Sequence, residues 1–165
     1  RKTTKEIRHM LFTLRPLVLE LQGLVAALQS LADKMRENFN QDVIVEADPA
    51  AAEKLDMHSQ GVLFYIVEEA VGNARKHAQA EHIWVRLKMR TTDICMLEIQ
   101  DNGVGFDVNA VMGSYDNRGS LGMVNLRERT ELVSGVMHLD SAPGKGTKFT
   151  IMVPLSDEAK QRLTA

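Results

Sequence analysis

The stretch 82–106, HIWVRLKMRTTDICMLEIQDNGVGF, decides the fold. Ile83, Val85, Leu87 and Met89 alternate with Trp84, Arg86, Lys88 and Arg90, the two-residue period of a half-buried strand. Thr91, Thr92 and Asp93 can turn the chain, and residues 94–100 continue as a second strand, so the pair reads as a hairpin. By parity Asp101 shares the face of Cys95, Leu97 and Ile99, which aims a carboxylate toward the core side.

Working outward, DVIVEA at 42–47 reads as a short strand, and two more are expected at about 136–141 and 147–154, the last alternating Phe149, Ile151 and Val153. A core-facing helix is expected from Gly23 to about Phe39 through Leu24, Ala27, Leu28, Leu31, Ala32, Met35 and Phe39. A long helix is expected over 59–78 and another near 120–134, while Pro49 and the alanines after it suggest a turn and a poorly determined segment. Residues 1–14 carry a narrow apolar stripe, Ile7, Leu11 and Leu14 with Met10 beside them, that Arg15-Pro16 interrupts. Five strands and about three helices without repeats predict an α+β fold, one sheet with helices on one face.

A chain of 165 residues holds one domain and a short appendage. With 44% hydrophobic and 25% charged residues it has the composition of an ordinary soluble globular protein. The formal net charge of -2 removes the bulk electrostatic argument for a nucleic-acid partner and favours a small ligand. The single cysteine, Cys95, excludes an intrachain disulfide and a zinc scaffold and suggests a reducing compartment. No apolar run is long enough for a membrane span, and no signal-like segment opens the chain. It begins at Arg1, inside what reads as a helix, so a fragment of a longer protein is expected.

Chemistry is expected at four places. On the helix over 59–78, Val62, Ile66, Glu69, Asn73 and Lys76 fall near one azimuth at about 100° per residue, so an apolar stripe turns polar. A carboxylate, an amide and then a cation suit magnesium held against phosphate oxygens, since magnesium takes few protein ligands and keeps several waters. A rim network or an exposed corner of the helix fits the same residues. At DNGVGF, 101–106, a purine amine is one donor for the Asp101 carboxylate, and Gly103 and Gly105 permit close approach of a flat ring. A plain tight turn fits too. RGSLGM at 118–123 sets a glycine pair ahead of a helix, whose free N–H groups bind phosphate well, or forms only a loop-to-helix cap. The stretch before it, 107–117, has the low periodicity of a mobile lid. PGKGTKF at 143–149 turns into the last strand with Thr147 on the inward parity of Phe149 and Ile151, where Asp101 also points.

In this order, EAVGNARKH at 69–77, DNGVGF, GSLGM and GKGT resemble the N, G1, G2 and G3 boxes of the ATP-binding domain of the GHKL superfamily. The wording KHA after the first box, LRER after the third and LRP near the start is most similar to sensor histidine kinases that pair with NarL-type response regulators. The resemblance covers residues 5–155. It implies a Bergerat fold, a two-layer α/β sandwich in which a mixed sheet is backed by helices. Its domain division is residues 1–22 as the end of a dimerisation helical region, 23–158 as the ATP-binding catalytic domain and 159–165 as a tail.

The resemblance also implies roles. Asn73 would bind the magnesium that bridges the phosphates, Glu69 would orient a nucleophile or contact the metal's hydration shell, and Lys76 would sit near the phosphates with His77 beside it. Asp101 would accept a hydrogen bond from the adenine amine in a pocket shaped by Gly103 and Gly105. Gly119, Ser120, Leu121, Gly122 and Met123 would form the lid hinge over the triphosphate. Gly144, Gly146 and Thr147 would complete the base site, the threonine helping to hold Asp101. The implied reaction is transfer of the ATP γ-phosphoryl group to a histidine, for relay to a response regulator. No His-Asp or His-Glu pair occurs, and His9 precedes Met10, so the acceptor is expected outside this chain, which by itself is not expected to autophosphorylate. A homodimer is expected of the parent, membrane-anchored or soluble, with this domain in the cytoplasm. A noncatalytic nucleotide sensor or dimerisation module, or a GHKL ATPase or serine kinase, is the alternative.

Overall fold

The computed structural model describes residues 16–112 and 118–165; the stripe of Ile7, Leu11 and Leu14, His9 and the lid's residues 113–117 lie outside the described residues. Helix α1 (Leu17–Gln22) follows Pro16 and ends at Gly23, and α2 (Leu24–Phe39) buries Leu24, Ala27, Leu28, Ala32 and Met35 of the expected stripe, with Leu31 half-buried and Phe39, at the helix end beyond the reach of the core, exposed instead. Strand β1 (Asp42–Ala47), short helix α3 (Pro49–Glu53) and long helix α4 (Met57–Asn73) come next. A π-turn (Ala74–Ala78) then leads to the hairpin of β2 (His82–Thr91) and β3 (Ile94–Asp101). Helices α5 (Val108–Met112) and α6 (Arg118–Glu131), strands β4 (Val136–Ser141) and β5 (Thr147–Pro154) and helix α7 (Asp157–Thr164) complete the chain.

The strands form one sheet in the order β1-β2-β3-β5-β4, with β1 parallel to β2 and every other pair antiparallel, so the sheet is mixed. Register puts inward residues in rows across it. Val45, Val85, Ile99, Phe149 and Leu139 make one row; Ala47, Leu87, Leu97, Ile151 and Met137 make the next. These rows form one core with Leu28 of α2, Leu63, Ile66, Val67 and Val71 of α4, and Leu126 of α6. Each such side chain contributes about 1.5–3 kcal/mol by leaving water. Leu19 of α1 is fully buried in the same core, while Leu17 and Leu21 face solvent.

Two expectations at the ends of segments need correction. Helix α3 forms where a poorly determined segment was expected, because Asp48 caps it by accepting from the Ala50 N–H at 2.9 Å and Pro49 occupies its first turn. Five residues are too few to display a period. The final residues, set apart as a tail, belong to α7: the Ser156 Oγ caps the Ala159 N–H at 3.1 Å, and Ala159 is fully buried. Ile94 and Met96, on the opposite parity from Cys95 and Leu97, are buried too, and α7 packs against β5, the strand that pairs with them.

Asp93, in the hairpin turn, ties α7 down by accepting from Arg162 and, at 3.2 Å, from the Ser156 hydroxyl. The Arg162 bond, then that of Thr91, holds its carboxyl below the ordinary 3.8. A depressed native value means that the tie is present above 3.8 and is lost as pH falls through the lower native value. Asp93→Ala is therefore expected to speed hydrogen exchange in α7 at neutral pH, with the gap from wild type closing under acid. Equal exchange at neutral pH would show that apolar packing alone holds α7.

Candidate functional site

The polar end of α4 is built by a change of winding. The expected continuous helix over 59–78 is interrupted, since α-helical geometry ends at Asn73 and the next five residues form a π-turn that exits through Gln79 at φ 54°. An i→i+5 winding advances fewer degrees per residue than the roughly 100° of an α-helix. Lys76, about 60° off the azimuth of Asn73 in an α-helix, is therefore carried further from it, while His77 lies within about 40° of Asn73 in either winding. Consistent with this, Asn73, Ala74, His77 and Ala78 line a cavity, whereas Lys76 is exposed and outside its lining. Glu69 is half-buried one turn before Asn73 and does not line the cavity either. Of the polar residues on the azimuth drawn from sequence, Asn73 lines the cavity, and Glu69 and Lys76 do not.

The opposite wall comes from the end of the sheet. One row runs Val43, Ile83, Asp101, Thr147, Ser141, apolar on β1 and β2 and polar where it reaches β3, β5 and β4. Asp101 and Thr147 are each only 7% exposed. The Asp101 Oδ1 accepts from the Gly103 N–H at 2.8 Å. Burial pushes its carboxyl above the ordinary value, against the Gly103 and Thr147 backbone groups that lower it. The Ser141 hydroxyl donates to the Gly146 carbonyl at 2.9 Å and accepts from the Phe106 N–H at 3.0 Å. It also lies 2.9 Å from the Thr147 hydroxyl. Ser141 has one hydrogen, already committed, so Thr147 is the donor of that last bond and keeps acceptor lone pairs for a ligand. The Thr147 hydroxyl is thus engaged by Ser141, a residue for which the sequence offered no signal beyond its parity on β4.

The two glycines of this loop are sites of close backbone approach. A Cβ on Gly103 would stand 2.2 Å from the Ala78 carbonyl oxygen, where the Val104 N–H also bonds at 2.7 Å. One on Gly105, at φ 66°, would stand 2.1 Å from the Ala142 carbonyl oxygen. These positions seat the loop against the π-turn and against the β4–β5 turn, and Gly105 also lines the cavity.

Between the two walls lies a cavity of about 260 Å³. Ala70, Ala74 and Ala78 line its helical side with small side chains, Val104, Phe106, Met123, Leu126 and Phe149 supply apolar surface, and Asn73, His77, Asp101 and Thr147 are its polar members. Sequence reasoning missed the three alanines, Phe106, Leu126 and Phe149 as lining, although their recurrence beside Asn73 and Asp101 was available as a signal. An apolar slot with one buried carboxylate and one acceptor hydroxyl suits a flat heterocycle bearing an amine. Residues 119–122 fall inside α6, which starts at Arg118, so the glycine pair sits in the helix and not in a loop before it; Met123 is buried against the cavity. Gly144, at φ 77°, has open space around it in the β4–β5 turn.

Among the described residues no group of three or more His, Cys, Asp or Glu side chains could hold a metal ion, and no helix is long and apolar enough to cross a membrane. The sequence model of the histidine kinase-, DNA gyrase B- and HSP90-like ATPases matches residues 59–157. The chain is 46% identical over 156 residues to a sensor-like histidine kinase of Chloroflexus aurantiacus, covering 94% of this chain and 26% of that protein. It is 32% identical over 152 residues to the oxygen sensor histidine kinase NreB of Staphylococcus carnosus, covering 92% of this chain and 42% of that one. It therefore spans less than half of these relatives. The fold matches the histidine kinase domain of a blue-light activated histidine kinase from Erythrobacter litoralis with a TM-score of 0.62 at 21% identity, over 86% of this chain and 64% of that one.

Proposed function

The chain belongs to the histidine kinase-, DNA gyrase B- and HSP90-like ATPase family as an ATP-binding catalytic domain of the sensor histidine kinase type, and from that premise we propose that its cavity holds magnesium-ATP for phosphoryl transfer to a histidine outside this chain. One observation carries the reading: the slot between α4 and the sheet has a single buried carboxylate, Asp101, at its sheet wall. Asp101 accepts from the adenine amine, Thr147 offers its free lone pairs to the base or to water beside it, and the alanines of α4 leave room for the ring. Gly103, Gly105, Gly144 and Gly146 hold the loops that frame this end.

Asn73 and His77 stand on the helical wall for the phosphates, Lys76 at the exposed rim beside them, and residues 119–123 of α6 on the lid side. Asn73 presents an amide oxygen, a hard donor suited to magnesium. Among the described residues no carboxylate cluster stands near it, and such an ion would be held jointly with phosphate oxygens and water, the habit of magnesium. That ion would supply charge neutralisation at the phosphates. What the chain contributes is orientation and exclusion of water, because phosphoryl transfer asks little covalent chemistry of the protein. Glu69, one turn from Asn73, would orient the incoming acceptor. Within the whole protein we assign the domain to the cytoplasm, a homodimer as its assembly and a NarL-type response regulator as the recipient, on the KHA and LRER wording.

Calorimetry of ATP against this chain, with and without magnesium, tests the reading. Wild type is expected to bind ATP with magnesium dependence and Asn73→Ala to lose that dependence. Absence of binding in wild type at millimolar ATP would favour a noncatalytic module.

A further inference from the structure

A π-turn is a rare winding found frequently at functional sites, and here both of its ends are met by one corner of the molecule. At its start, the Arg75 guanidinium carbon lies 3.8 Å from the centroid of the Phe39 ring. Phe39 is the last residue of α2 and is 51% exposed, so its ring has no place in the core that would explain it. At the exit, the nearly buried side-chain amide of Gln41 donates to the Ala80 carbonyl at 3.3 Å and to the Asp42 carbonyl, also at 3.3 Å. Between Phe39 and Gln41, Asn40 takes a left-handed conformation at φ 52°, which turns the chain so that both neighbours face the segment after α4.

We propose that the Phe39–Gln41 corner is a positioning device for nucleotide binding: Phe39, by stacking on Arg75, keeps the π-turn wound and so sets the side of Asn73 on which His77 meets the cavity. The proposal rests on the ATP reading above. If the turn relaxed to α-helical winding, His77 would advance past Asn73 and the wall that faces the phosphates would change, while Asp101, on the sheet, would stay in place. Phe39 touches no part of the cavity, so its effect is wholly through Arg75 and the winding.

The stacking can shift affinity by no more than its own worth. An exposed cation–π pair corresponds to about a two- to fivefold change in affinity. The test compares ATP and adenosine affinities of this chain as wild type, Phe39→Ala and Phe39→Trp, together with the unfolding temperature of each. The expected result is an ATP affinity reduced about two- to fivefold in Phe39→Ala, adenosine affinity unchanged, and recovery in Phe39→Trp, which keeps a ring face for Arg75. Equal ATP affinities in wild type and Phe39→Ala would overturn the proposal. So would a parallel loss for ATP and adenosine, the mark of general loosening. A wild type that binds neither would instead overturn the ATP reading, and this proposal with it.

Discussion

Replacing Asp101 by Asn is expected to lower ATP affinity by about 10- to 100-fold, the worth of one charge-assisted hydrogen bond in a buried setting. The carboxylate has lone pairs for both the Gly103 N–H and a ligand amine, whereas the amide has one oxygen, which the Gly103 N–H at 2.8 Å already claims. The amide nitrogen then meets the adenine amine donor to donor. The same change alters stability in the ligand-free protein. Burial holds the native Asp101 carboxyl above the unfolded value, so the native state binds its proton more tightly, and its contribution to stability falls as pH rises from 3.8 through that raised value. Urea unfolding of wild type and Asp101→Asn across the acid range should show this fall in wild type only. Undiminished ATP affinity in Asp101→Asn, read by calorimetry, would remove Asp101 from the base site.

A second large effect is expected in the β4–β5 turn, where two glycines with similar backbones differ in surroundings. Gly144 has φ 77° with nothing within 4 Å of an added Cβ, and Gly146 has φ 72° with the Asp101 carbonyl oxygen at 2.2 Å. Gly144→Ala bears only the left-handed penalty, about 1 kcal/mol, which lowers Tm by roughly 2–4 °C. Gly146→Ala adds a clash with backbone, which cannot swing aside, for a total of about 3–4 kcal/mol and a Tm loss of roughly 6–15 °C. Because Thr147 pairs with Asp101 across this point, Gly146→Ala should also weaken ATP binding. Equal thermal losses in the two variants would mean that the turn moves freely away from β3.

The sequence was most legible where the period was short and the segment long. The alternation from Ile83 to Met89 and again along β3 placed Asp101 inward without any knowledge of tertiary contacts, because a strand's parity is set by its own backbone. Thr147 followed by the same rule on β5. The helix reading led to Asn73, which lines the cavity, but chose Lys76 over His77, although at about 100° per residue His77 lies nearer the azimuth of Asn73. The helices α3 and α7 escaped because their signals are caps, Asp48 and Ser156, not periods. Gly103 and Gly105 were recognised as close-approach positions, but what approaches them is the carbonyl of Ala78 and of Ala142, each far from its glycine in the chain.

By itself, then, the sequence determined the strands, their inward faces, the ordered boxes and hence the family, all properties that local backbone geometry and residue order carry. Only the tertiary structure decided that β1 joins the sheet parallel at its edge, that Ser141 engages the Thr147 hydroxyl, and that His77 rather than Lys76 faces the cavity beside Asn73. The frame of the site depends on groups far apart in sequence meeting across the fold: Asp101 against Gly146, Ala78 against Val104, Arg75 against Phe39. Such meetings are set by packing and hydrogen-bond satisfaction of the whole molecule, and no window of the chain contains both partners.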